Sequence, residues 1–153
     1  MAVYGDVFSS QARSATPCVK LDTAAFVADS ELITALEQRS TPLNCEEDRI
    51  LFQQGEEPHG LFVLHSGEVY LTMDGPDGSP VLCMQPFPGS LLGMPAMIGN
   101  KPYSLTARAQ KGAVLSYASC EDFHKLLNEN PTLPMKILTV LAAELRAARQ
   151  ALR

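Results

Sequence analysis

The sequence predicts a mainly β fold with flanking helices: an antiparallel β jelly roll or barrel, preceded by a short helix and followed by a long one. Three observations carry that prediction. About eight short segments between residues 43 and 119 alternate apolar and polar side chains or form short apolar runs, as strands with one or two buried faces do. Gly, Pro and Asp-Gly pairs separate these segments at close intervals, which is the punctuation of an all-β roll or barrel. After Asn130-Pro131 the apolar period changes to three and four, the spacing of one helix face.

Taken in order, residues 1–20 are rich in Ser and Ala and have no period, so a loose arm is expected there. Residues 22–39 turn helical: Asp29 or Ser30 can cap, Leu32, Ile33 and Leu36 share a face, and Phe26 packs at the entry. After Pro42 the period becomes two. Leu43 and Cys45 alternate with polar neighbours, and Arg49-Ile50-Leu51-Phe52 forms a second short strand ended by Gln53-Gln54-Gly55. Leu61-Phe62-Val63-Leu64 is a continuous apolar run, which fits a strand buried on both faces. Val69, Leu71 and Met73 alternate with Glu68, Tyr70 and Thr72, as on a half-exposed strand. Residues 74–79, Asp-Gly-Pro-Asp-Gly-Ser, are a turn by composition, with Val81-Leu82-Cys83-Met84 as the returning partner. Leu105, Ala107 and Ala109 alternate, Lys111-Gly112 turns, and residues 113–119 form the last strand.

The C-terminal third is helical. Phe123, Leu126 and Leu127 form the apolar side of a short helix that Asn128-Glu129-Asn130-Pro131 breaks. A longer helix is expected over 132–152, with Pro134 tolerated in its first turn. Leu138, Leu141, Leu145, Ala148 and Leu152 are spaced three, four, three, four, and Ile137 widens the stripe. That stripe is either a coiled-coil seam or a face laid on the roll. The helix is long, terminal and Ala-rich where close approach is needed, so the expectation is a homodimer through this helix. The expected domain plan is therefore an arm over 1–20, a roll over 21–130 and a dimerization helix over 131–153.

Composition narrows the function. A net charge of -5 and the lack of any Lys/Arg-dense block exclude a free-standing nucleic-acid binder. The first twenty residues have no apolar core of a signal peptide, and no run approaches the ~18 apolar residues of a membrane span. A cytoplasmic protein without membrane contact is expected. Cys18, Cys45, Cys83 and Cys120 lie far apart, and His59, His65 and His124 are scattered. Free thiols in a reducing compartment are expected, with no metal site. No G-x-S-x-G, P-loop or H-E-x-x-H motif is present, so no catalytic residue is assigned and no enzyme is expected.

The stretch 89–107 stands apart: a short strand, Gly93, a compact apolar turn, a loop and another strand. Glycine ahead of a helical turn frees backbone N–H groups to face an anion. Leu92, Gly93, Met94, Pro95, Ala96, Tyr103 and Ser104 are the candidate ligand pocket.

Two motifs carry a family resemblance. Gly55-Glu56 followed by Leu61-Phe62-Val63-Leu64-His65-Ser66-Gly67-Glu68-Val69 is similar to the structural signature of the cyclic nucleotide-binding domain. The cassette at Gly93 and the long helix after Asn130-Pro131 complete the likeness, over residues 26–152. More narrowly, the chain resembles the sensor half of catabolite-activator-type and fumarate–nitrate-regulator-type regulators. The resemblance implies a two-state effector sensor and a phosphate-binding cassette of the form Gly-Glu-x-Ala-Leu, a loop, then Arg-Ser/Thr/Ala-Ala. Here the cassette reads Gly93-Met94-Pro95-Ala96-Met97, then Tyr103-Ser104-Leu105. Met94 replaces the glutamate that would accept from a ribose hydroxyl, and Tyr103 replaces the arginine that would pair with the phosphate. A buried anion without its cation is unfavourable by several kcal/mol. Lys101 is nearby but is a point charge on a flexible stem. The positions that would face the base from the long helix are Ala148 and Arg149, and neither carries a hydroxyl.

The expectation is a non-enzymatic sensor module with a degenerate cassette. It takes no cofactor, and Met94 and Tyr103 disfavour cyclic nucleotide. Where such regulators continue into a helix-turn-helix module, this sequence stops at Arg153, so no nucleic acid is expected to bind this chain alone. Alternatives are a ligand-free dimerization or protein-interaction module, a sensor of another small-molecule effector, and a fragment of a DNA-binding regulator.

Overall fold

The computed structural model describes residues 19–20, as backbone, and 27–151. Among them run nine strands and four helices: β1 Val19–Lys20, α1 Ser30–Glu37, β2 Thr41–Asn44, β3 Arg49–Phe52, β4 Gly60–Ser66, β5 Val69–Asp74, β6 Pro80–Met84, β7 Leu91–Leu92, α2 Met94–Gly99, β8 Thr106–Ala109, β9 Val114–Ser119, α3 Cys120–Glu129 and α4 Leu133–Ala151. One sheet has the order β1-β6-β5-β8-β3 and the other β2-β9-β4-β7. The expected jelly roll with its short leading helix and long closing helix is the observed architecture.

The central strand β4 explains why its sequence is an unbroken apolar run. Phe62 lies opposite Tyr117 and Leu64 opposite Leu115, while Leu61 lies opposite Ala118 and Val63 opposite Ser116. Alternate residues of a strand point to opposite faces. One face of β4 thus meets the other sheet and its other face meets α3, so both must be apolar. In β5 the alternation is cleaner: Val69 and Leu71 pair with Ala109 and Ala107 inside, while Tyr70 and Arg108 lie opposite each other, half-exposed. The Asp74–Ser79 turn closes with Gly75 N–H on the Ser79 carbonyl at 2.8 Å, and Gly78 takes φ +84°, a conformation that glycine adopts without steric cost.

The helices are capped as their sequences require. The Leu32 amide donates to the Asp29 carboxylate at 2.8 Å, and the Asp122 amide to the Ser119 hydroxyl at 3.1 Å. The Leu32 amide, and then the Lys136 ammonium, hold the Asp29 carboxyl below its ordinary range. Lys136 pairs with Asp29 at 2.9 Å and with Glu31 at 3.4 Å, joining α4 to α1, and Arg39 pairs with Glu129, joining α1 to α3.

Three details differ from expectation. Within the span read as a helix over 22–39, the described helix begins at Ser30; Asp22 and Phe26 lie outside the described residues. Val19–Lys20, within the span read as an arm, pairs in parallel with Leu82–Cys83 as an edge strand; two residues are too few to show a period. Cys45 and Cys120 are free thiols, but Cys83 is disulfide-bonded. Four free thiols were expected because no Cys spacing suggested a pair, and chain distance does not report spatial distance.

Candidate functional site

The short strand β7 leads into Gly93, which takes φ +92° and turns the chain into the six-residue helix α2. A Cβ there would stand 3.0 Å from the Tyr103 ring, 3.3 Å from the Phe52 ring and 3.4 Å from the Gly60 carbonyl. Both the left-handed φ and the close approach call for glycine. Pro95 sits in the first turn of α2, where its missing N–H costs nothing. Asn100 ends the turn in the left-handed region at φ +51°.

Tyr103 is the pivot of the site. It is 2% exposed and its ring stacks on Phe52, with centroids 4.1 Å apart and planes 13° from parallel. Its hydroxyl donates to the Gly60 carbonyl at 2.5 Å and accepts from the His59 and Gly60 amides, each at 3.1 Å. Its backbone bonds the Glu56 carbonyl at 3.0 Å and the Gly55 amide at 2.8 Å. Burial pushes its phenol above the ordinary tyrosine range. Beside it the Tyr117 hydroxyl donates to the His59 carbonyl at 2.9 Å and lies 3.0 Å from His59 Nδ1. Phe62 joins this aromatic group, its ring centroid 4.9 Å from that of Tyr117.

A cavity of about 50 Å³ remains between the cassette, the roll and α4. Leu92, Gly93, Pro95, Ala96, Tyr103 and Ser104, all expected at the pocket, line it. Met94 does not: it is fully buried in the core. Lys101 is exposed and does not line the cavity. Phe52, Leu71, Met84 and Leu91 from the strands and Leu105 from the loop before β8 complete the walls, and no spacing in the sequence could have gathered them.

One further lining residue comes from α4. Glu144 faces the cavity, has no hydrogen bond or ion pair among the described residues, and is pushed up to about 7 by burial. A signal for it did exist. Leu133, Ile137, Val140 and Ala147 are the buried residues of α4, and Glu144 continues their spacing of four, three, four, three. The outward face carries a parallel stripe: Met135 is 67% exposed, Leu138 55% and Leu145 53%. The residues read from sequence as one seam divide between these faces. Ile137 belongs to the core, Leu138 and Leu145 face outward, Leu141 and Ala148 lie half-buried between, and Leu152 is outside the described residues.

Among the described residues no three His, Cys, Asp or Glu side chains converge as a metal site, and no helix is long and apolar enough to cross a membrane.

Comparison with known proteins agrees with this fold. The profile of the cyclic nucleotide-binding domain family matches residues 42–130. No curated protein sequence matches the chain. Among solved structures, the catabolite activator protein of Thermus thermophilus superposes with a TM-score of 0.70 at 22% identity, over 81% of this chain and 58% of that one. The sensor domain of the transcriptional regulator DNR from Pseudomonas aeruginosa gives 0.61 at 23% identity, over 80% of this chain and 82% of that one. The N-terminal domain of a transcriptional regulator from Streptomyces coelicolor gives 0.61 at 24% identity, over 80% and 85%.

Proposed function

The chain belongs to the cyclic nucleotide-binding domain family, and from that premise we propose that it is a non-catalytic sensor module whose cassette no longer recognises cyclic nucleotides. The observation that carries this reading is Tyr103. It stands where a phosphate-pairing arginine would be expected, and three hydrogen bonds and the Phe52 ring hold it inside the roll. Among the described residues no cation lines the cavity, and the one charged group that does is Glu144. The space of about 50 Å³ is also far below the ~300 Å³ at which drug-sized ligand pockets begin. A cyclic nucleotide would meet too little room, an acidic group and no arginine. In isothermal calorimetry neither cAMP nor cGMP is expected to bind with a Kd below about 1 mM, a ceiling worth only ~4 kcal/mol; micromolar affinity for either would end this reading.

The module acts as a homodimer through the outward face of α4. Met135, Leu138 and Leu145 leave that face unusually apolar, at coiled-coil spacing. The double variant Leu138→Glu/Leu145→Glu is expected to halve the mass in sedimentation equilibrium while circular dichroism stays unchanged. A folded variant of unchanged mass would remove α4 as the seam.

The same tight cavity also favours a second reading, in which the module is a ligand-free dimerization element. Binding of any small probe beside Gly93 separates the two.

A further inference from the structure

We infer that the cavity beside Gly93 takes a compact ligand with an apolar body and a cationic hydrogen-bond donor, the donor seated on the Glu144 carboxylate. This inference rests on the reading of the cavity as the effector site, and adds the chemical class of the effector.

The sign of the site comes first. Among the described residues Glu144 is the only charged one lining the cavity. The strands β3, β5, β6 and β7 and the turn of α2 contribute no titratable side chain to it. The loop before β8 contributes Tyr103, whose hydroxyl is turned onto Gly60 and His59, and Ser104. An anion in this space would face a carboxylate with no compensating cation among the described residues. A donor would give the unpartnered carboxylate the charge-assisted bond that it lacks, which is among the stronger polar contacts available.

Shape sets the rest. Phe52, Leu71, Met84 and Leu91 make the walls apolar, so the body of the ligand must be hydrocarbon. At roughly 10–15 Å³ for each water-sized group, about 50 Å³ holds about four such groups. A short branched alkylamine or amidine has this size and charge. Position adds a consequence: Glu144 lies on α4, whose outward flank carries Leu138 and Leu145. A donor bound to Glu144 therefore bears on the helix that presents the outward stripe.

The test is a methyl NMR titration with three probes of one shape: isobutylamine, isobutanol and isobutyrate. The protein is used as the full chain at pH 8, in wild type, Glu144→Gln and Glu144→Asp. Isobutylamine is expected to shift the methyl signals of Leu71 and Leu91, and isobutyrate is expected not to. The amine should bind about tenfold more weakly to Glu144→Gln, the loss of one charge-assisted bond, and Glu144→Asp should recover part of that affinity. Equal affinity of amine and alcohol, or an amine affinity unchanged in Glu144→Gln, would overturn the assignment of ligand class and leave the cavity as an effector site. Failure of all three probes to bind would instead overturn the effector-site reading beneath it.

Discussion

Tyr103→Ala is expected to lower the unfolding free energy by about 4 kcal/mol, and Tyr103→Phe by about 2 kcal/mol. The alanine variant removes a buried ring stacked on Phe52 and Gly93 and leaves a void that the rigid turn at Gly93 cannot close. It also strands the Gly60 amide, the Gly60 carbonyl and the His59 amide, which the Tyr103 hydroxyl satisfies. The phenylalanine variant keeps the ring and loses only those bonds, so the pair separates packing from polar satisfaction. These terms are not additive, because the ring and its hydroxyl share one setting. Urea denaturation followed by circular dichroism reads both values. An alanine variant within 1 kcal/mol of wild type would mean that Tyr103 is a peripheral aromatic and not the pivot of the cassette.

Glu144→Gln is expected to stabilise the protein at alkaline pH and not at acid pH. Burial raises the native carboxyl from 4.5 to about 7. Below pH 4.5 the group is protonated in both the native and unfolded states, so it adds no pH-dependent difference. Between 4.5 and 7 the native state holds the proton that the unfolded state releases, so stability falls as pH rises. Above about 7 the full cost is present. Each pKa unit corresponds to ~1.4 kcal/mol, and partial solvent access reduces the total, leaving a cost of about 2 kcal/mol at pH 8. The glutamine variant should thus unfold some 4–8 °C higher than wild type at pH 8 and at nearly the same temperature at pH 4. Melting curves with a pH-independent offset would place the carboxyl in water and remove Glu144 from the cavity wall.

Both residues bear on how much of the site could be read without the fold. Tyr103 was recognisable as a substitution, because it falls at a fixed place in a motif whose neighbours, Gly93 and Ser104, are kept. Two uses for it stood open, an ordinary strand aromatic or a filler of the phosphate space. In the fold its hydroxyl bonds to Gly60, its ring stacks on Phe52 and it stands on the cavity wall. Met94 sits at the neighbouring motif position, yet it packs into the core and away from the cavity. Adjacent helical residues point about 100° apart, so membership of a motif does not by itself put a side chain on the ligand.

The long helix marks the boundary most clearly. Local patterning by itself determined that α4 exists, that Asn130-Pro131 precedes it, and that β4 is buried on both faces, because period and punctuation are properties of neighbouring residues. It also narrowed the fold to a roll or a barrel, since short alternating segments between glycine turns have few other ways to bury their apolar faces. Which stripe of α4 faces inward was decided only by the tertiary structure. Leu133, Ile137, Val140 and Ala147 run parallel to Met135, Leu138 and Leu145, and both stripes suit a helix seam. The Lys136 pairs to Asp29 and Glu31 and the packing of α1 against α4 accompany one choice of phase. That phase turns Glu144 toward Gly93, about fifty residues earlier in the chain, and gives the cavity its negative charge.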